Sequence, residues 1–277
     1  MARAFDPGYC DRRFADLCEA APDGTTYPPS DFRVEWGPVF HRGRLDGSAR
    51  VLVIGQDPAA HEAICRRILV GEAGKRVQGL LGKLGITVSY AMTNALLYSQ
   101  VNSDETRFIA QPGITEYRNR WIDAILASGN IRVVLLLGDA AQAAWDAHPV
   151  VPGLTVRRVT HPTEPHKDAH GHPATEARLV ARMLDDWNQA VAALRPQLDG
   201  VRDTDVAQPS YGTSFRDSER PAIPSADLPA GLPDWMGATD GWAVRTGPDG
   251  QRWQITVTVP VPFRSAGAAA AAERATP

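Results

Sequence analysis

The chain is predicted to be α/β, in three layers α/β/α, with a central parallel sheet of about four strands, and three observations predict this. Short runs of Val, Leu and Ile recur and stop at glycine or a polar residue, as fully buried parallel strands do. Segments of helical length separate them, the alternation that a parallel sheet covered on both faces requires. At 277 residues the chain has room for one large domain of this kind and an extension.

Residues 1–49 are irregular, with a helical stretch near Arg12 to Ala20, and are expected to pack on the core as an N-terminal segment. The α/β domain is expected over 50–198. Its first strand, Arg50 to Gly55, leads to helices in Glu62 to Leu69 and Lys75 to Leu84, then a strand over Tyr90 to Leu97. A loop to Gly113 precedes a helix over Thr115 to Ala127, and Ile131 to Gly138 is the third strand. A helix over Asp139 to Ala147, a strand over Thr155 to Thr160 and a helix over Ala174 to Leu194 complete the alternation. Thr115 and Asp139 suit helix starts, and Gly85 and Gly129 suit helix stops.

Residues 199–265 read as a Pro-rich extension with a β-hairpin. Pro209 to Pro233 reads as extended or loosely packed chain, while Gly241 to Val259 alternates around a Gly-Pro-Asp-Gly turn. Trp235, Trp242 and Trp253 are expected to cap an apolar face of the core rather than stack on bases. The tail, 266–277, is expected to be disordered.

Composition narrows the function classes. A formal charge of −3 argues against a tight non-specific DNA binder, although a local patch suffices for a specific one, and Arg66, Arg67, Lys75, Arg76 and Lys83 lie close in sequence. The three cysteines form no Cys-x-x-Cys pair, and no signal peptide or long apolar span accompanies them, so a cytoplasmic monomer with reduced thiols and no membrane partner is expected.

Three polar residues stand where ligands bind in open α/β sheets, at the carboxyl ends of strands. Asp57 lies in Val51-Leu-Val-Ile-Gly-Gln-Asp-Pro58, Asn94 lies in Tyr90-Ala-Met-Thr-Asn94, and His161 closes Thr155-Val-Arg-Arg-Val-Thr-His161. Each has a plainer reading: Asp before Pro caps turns, Asn in an apolar run is a satisfied core amide, and His before Pro sits in surface loops. Their joint placement at one sheet edge favours a site.

Gly55-Gln-Asp-Pro58, Asn94 and His161-Pro-Thr163, in that order, resemble the uracil-DNA glycosylase superfamily. Val70-Gly-Glu-Ala-Gly74 also resembles the segment after the first motif in the bacterial family 4-type enzymes. The resemblance implies a monofunctional glycosylase that hydrolyses the N-glycosidic bond of a flipped-out uracil or modified pyrimidine. Asp57 would orient water and stabilise the cationic sugar, His161 would donate to the pyrimidine O2, and Asn94 would read the O4 and N3–H edge. Gln56, Ala59 and Leu69 join Asn94 as expected base-binding residues. His61, Arg66, Arg67, Lys75, Arg76, His166 and Lys167 are expected DNA contacts.

Departures from the families matter as well. A Tyr that closes the pocket in family 1 is replaced by Ala59, and a Phe of the family 4-type enzymes by Leu69, so a roomier pocket is expected. Leu96 and Leu97 follow Asn94 where other members carry polar residues. Family 4-type enzymes hold an iron–sulfur cluster on four cysteines, and three cannot supply it, so no cofactor is expected. His161, His166, His170 and His172 raise the alternative of a metal-dependent hydrolase, but their spacing matches no closed zinc pattern and no metal is expected. The other alternative is a catalytically silent member that binds nucleic acid.

Overall fold

A computed structural model describes residues 11–102, 106–247 and 253–260. The expected Gly-Pro-Asp-Gly turn beyond Gly247, the C-terminal tail and Cys10 lie outside the described residues. In chain order the elements are α1 (Arg12–Glu19), β1 (Arg42–Gly43), β2 (Val51–Gly55), α2 (Ala60–Cys65), α3 (Glu72–Leu84), β3 (Tyr90–Asn94) and α4 (Pro112–Leu126). They continue with β4 (Val133–Leu137), α5 (Gly138–Asp146), β5 (Thr155–Val159), α6 (Glu164–Asp168), α7 (Pro173–Leu194), α8 (Trp235–Ala238), β6 (Ala243–Thr246) and β7 (Gln254–Val257).

The central sheet has five strands in the order β1-β3-β2-β4-β5. Four are parallel as expected, and the two-residue β1 is an antiparallel edge, with Arg42 opposite Met92 and Gly43 opposite Ala91. A strand this short carries no period for a sequence reading to find. Alternation within the parallel strands divides the core between the two faces. Leu52, Ile54, Ala91, Val134 and Leu136 pack with Phe14 and Leu17 of α1 and Ile114, Tyr117, Trp121 and Ile122 of α4. Val51, Val53, Tyr90, Met92, Val133 and Leu135 pack with Val77, Leu80 and Leu81 of α3 and Met183, Leu184 and Trp187 of α7.

Helix ends differ from the sequence reading where local chemistry decides them. Helix α4 begins at Pro112 and not at Thr115, because proline suits the first turn; Thr115 lies inside and donates its hydroxyl to Ile109 O at 3.0 Å. Asp139 sits in the first turn of α5 and pairs with Arg158 at 2.6 Å instead of capping. Helix α2 stops at Cys65 because Arg66 adopts the left-handed conformation, and Leu69 does so again at φ +53°.

The Pro-rich stretch is not loosely packed. Asp203 accepts the N–H groups of Thr87, Val88 and Ser89 at 2.7, 2.7 and 3.0 Å and fixes the entry to β3. Tyr211 packs edge-on against Trp187, Glu219 pairs with buried Lys83 at 2.8 Å, and buried Asp227 takes Arg44 at 2.9 Å and the Tyr90 hydroxyl. Composition misleads here because buried polar anchors, rather than regular structure, hold the segment. From α8 the chain enters an apolar cluster in which Trp235 and Trp242 cover Ala60, Cys65 and Val70, as expected of these two, whereas Trp253 lies apart from it, against Trp36 and Arg33. Among the described residues no helix is long and apolar enough to cross a membrane.

Candidate active site

Parallel pairing puts Gly55 opposite Asn94, so the ends of β2 and β3 coincide and Asp57 follows two residues beyond. Strand β3 ends at Asn94 and not at Leu97; Ala95 and Leu96 turn away, donating to Gly55 O and Gln56 O at 2.9 Å each. Strand β5 ends two residues before His161. Strand β4, between β2 and β5, stops at Leu137 and turns through Gly138, where φ is +79°. A Cβ at 138 would lie 2.9 Å from the His161 Cβ, so glycine at this strand end is what admits the imidazole. Gly55 has the same relation to Asn94, whose Oδ1 would lie 2.5 Å from an added Cβ.

These strand ends surround a cavity of about 320 Å³ lined by Gln56, Asp57, Ala59, Leu69, Asn94 and His161, with Thr163, Lys167 and Arg245 at its sides. All six catalytic and base-binding residues expected from the sequence meet in it. Leu96 and Leu97 do not; both are buried in the core beside Tyr27 and Tyr98.

Asp57 is half-buried, and its Oδ2 accepts the Gln100 backbone N–H at 3.0 Å. Loss of water around the carboxylate pushes its pKa up to about 6, against the pull of that hydrogen bond and of the Arg245 and Lys167 charges. Gln100 is itself pinned by a bridge to Phe32, so the N-terminal segment holds the loop that holds Asp57. Burial moves His161 the other way, down to about 4, assisted by the Lys167 charge, and the imidazole is neutral at pH 7. Its Nδ1 accepts the Thr163 backbone N–H at 3.3 Å, with Thr163 Oγ1 3.0 Å away, which places the proton on Nε2. Asn94 is 8% exposed, and among the described residues its side chain makes no hydrogen bond.

The wall carrying Ala59 and Leu69 is shaped by Glu62. Its carboxylate accepts Ala59 N at 3.0 Å, Val70 N at 3.0 Å and Gly71 N at 3.4 Å, tying the turn after β2 to the segment after α2. The left-handed backbone at Leu69 is locked by Gly74, where a Cβ would fall 1.6 Å from the Leu69 carbonyl oxygen.

The expected DNA contacts divide. His166 and Lys167 are exposed at the cavity on α6, and His166 lies 3.2 Å from Glu176. The cluster Arg66, Arg67, Lys75 and Arg76 does not form an open basic patch. Arg66 is directed at Trp36 O (2.7 Å) and Pro38 O, and Arg67 is 6% exposed and donates to Arg66 O. Lys75 pairs with Asp240 at 3.0 Å, and Arg76 donates to Glu72 and to Pro162 O, beside His161. Closeness in sequence says nothing about which way a side chain faces, and these four brace the loops around the cavity. His61 stacks edge-on against Trp242 at 4.8 Å, and its Nε2 accepts Ala243 N at 3.4 Å, so it holds the hairpin.

Missed from the sequence were Thr163, Gln100, Glu62, Gly138 and Arg245. Thr163 stood inside a quoted motif, and Glu62, three residues past Ala59, has the spacing of a helix-start carboxylate. Nothing local marks Arg245. Among the described residues no three or more His, Cys, Asp or Glu side chains are arranged to hold a metal ion. Cys18 and Cys65 belong to different apolar clusters, and burial pushes their thiols up to about 11 and about 12.

Residues 42–175 match the family model described as the Uracil DNA glycosylase superfamily. No curated protein matches the chain.

Proposed function

Since the chain belongs to the uracil-DNA glycosylase superfamily, we propose that it hydrolyses the N-glycosidic bond of a uracil or modified pyrimidine flipped out of DNA. One observation carries this reading: Asp57, Asn94 and His161, delivered by three strand ends, line one cavity of about 320 Å³ with a carboxylate and a neutral imidazole at its base.

Cleavage leaves a cationic sugar and an anionic base, so the site must favour positive charge on one side and negative charge on the other. The Asp57 carboxylate orients the attacking water and stabilises the sugar cation. Gln100 N–H occupies one side of Oδ2 and fixes the carboxylate plane. His161, neutral and protonated on Nε2, donates to the pyrimidine O2 as charge accumulates there; an imidazolium would meet a large desolvation cost in this site. Asn94 reads the base edge with a carboxamide that has no hydrogen-bond partner among the described residues to compete for it. Flipping is cheapest for a mispaired or single-stranded base, which sets the substrate context.

Ala59 and Ala73 line the cavity where bulkier side chains would narrow it, which supports a pyrimidine with a C5 substituent as substrate. The test is a panel of oligonucleotides carrying uracil, hypoxanthine and bulky pyrimidine derivatives, scored for abasic sites. Release of a pyrimidine supports the reading, and failure on every member overturns it.

A further inference from the structure

The hairpin β6–β7 lies outside residues 42–175, the span matched by the family model, yet it reaches the cavity. It is firmly seated. Trp242 is 2% exposed, meets Trp235 edge-on at 5.4 Å, and donates its indole N–H to Met236 O at 2.9 Å. Ala243 N donates to His61 on α2, and Trp36 donates to Trp253 O at 3.0 Å. Alternation along β6 then turns Val244 outward, 47% exposed, and Arg245 inward.

An arginine at an inward position is costly unless its charge has a partner. One nitrogen of Arg245, Nη2, donates to Ser99 Oγ at 3.1 Å and lies 3.5 Å from Pro58 O. Nε and Nη1 make no hydrogen bond, and no carboxylate pairs with the guanidinium, among the described residues. The Trp36 ring stands 5.8 Å from the guanidinium carbon and limits where it can swing. Arg66, Arg67, Lys75 and Arg76 are engaged by the loops, and among the residues that line the cavity Arg245 and Lys167 carry the lysine and arginine charge.

We propose that the C-terminal hairpin completes the DNA site and that Arg245 holds a backbone phosphate beside the extruded nucleotide. This rests on the glycosylase reading for its ligand. A guanidinium whose Nε and Nη1 make no hydrogen bond among the described residues keeps charged donors for phosphate oxygens, and the Ser99 and Pro58 contacts aim it.

The experiment uses the full chain, its R245Q and R245K variants, and an oligonucleotide bearing a tetrahydrofuran abasic-site analogue, with affinity read by fluorescence anisotropy across salt concentrations. R245Q should weaken binding by about tenfold and flatten the dependence of log K on log salt by about 0.7 to 0.9, the loss of one phosphate contact. R245K, which keeps the charge, should recover most of the affinity and all of the salt slope. Thermal melting of each variant reports on folding, and R245K separates lost charge from lost packing. Equal affinity and slope for R245Q and the parent overturn the proposal. So does a moved pH–rate limb at unchanged affinity, which would make Arg245 a counter-ion for Asp57. A parent that binds through Arg245 but excises no base overturns the glycosylase reading alone, whereas a parent that does not bind the oligonucleotide overturns this proposal.

Discussion

Thr163 donates its backbone N–H to Nδ1 of His161 at 3.3 Å, with its hydroxyl 3.0 Å from the same nitrogen, so one residue fixes both the ring's orientation and its tautomer. The arrangement leaves Nε2–H as the donor facing the cavity. On the proposed reading, His161 therefore acts through a hydrogen bond rather than through proton transfer. His161→Ala should cost roughly 2.7–4 kcal/mol of barrier, the scale of one lost oxyanion donor. A single-turnover loss of tenfold or smaller, about 1.4 kcal/mol, would mark a structural loop histidine. Thr163→Val keeps the backbone donor and should lose far less than His161→Ala.

The opposite shifts of Asp57 and His161 predict the shape of the pH profile. In the proposed mechanism Asp57 works ionised, and its pKa of about 6 gives a rate that climbs through pH 6 and levels above it. His161 is neutral above about 4, so it adds no falling limb between pH 5 and 8. Single-turnover rates across that range check this. A bell centred near 6.5 would show that the imidazolium, not the imidazole, is the working form.

Replacing the carboxylate separates chemistry from stability. Asp57→Asn should remove most excision while leaving DNA affinity within a few-fold, because the charge acts on the transition state. It should also stabilise the fold at pH 8. The folded pKa lies above the unfolded one, so the native state pays to ionise Asp57 as pH rises from about 4 to about 6, and the amide avoids that cost. The gain should be on the order of 1–2 kcal/mol after allowance for partial solvent access. Chemical denaturation at pH 8 and pH 4 tests it, since the gain should vanish at the lower pH.

Strands β2 and β3 were legible as mainly apolar runs that end at polar residues, and β5, although it carries Arg157 and Arg158, as a short segment between two helical stretches. Asn94, Asp57 and His161 could be placed at one edge from that alone. What supports them was not. Gly138 reads as an ordinary strand end, and only the approach of His161, 23 residues later in sequence, shows why a side chain is excluded there. Arg66 and Lys75 looked like a surface patch, but their partners are Pro38 and Asp240, which no local pattern connects to them. Arg245 reaches the cavity from a hairpin nearly 190 residues from Asp57, and alternation fixes its inward face only once the packing of Trp242 is known.

Gly138→Ala tests that support directly. The added methyl must displace His161, and alanine at φ +79° carries backbone strain as well. Excision should fall by at least tenfold, with stability lower by roughly 1–2 kcal/mol. Stability loss with full activity would show that His161 need not hold its observed position.

On the proposed reading, Ala59 sets the volume of the base pocket. It stands in the cavity wall, its N–H held by Glu62 at 3.0 Å, so the backbone there is fixed and a larger side chain has to enter the cavity or the solvent. Ala59→Tyr should fill space opposite Asn94 and penalise the bulkier base only, because overpacking is felt by whichever ligand occupies the lost volume. The variant should lose activity on C5-substituted pyrimidines and keep or gain it on uracil, measured as relative kcat/KM over the oligonucleotide panel. The Glu62 contact is to the backbone and survives the change, so thermal stability should stay close to that of the parent. An unchanged substrate ranking would mean that residue 59 does not face the base, and the size of the pocket would then have to be set from the Leu69 side.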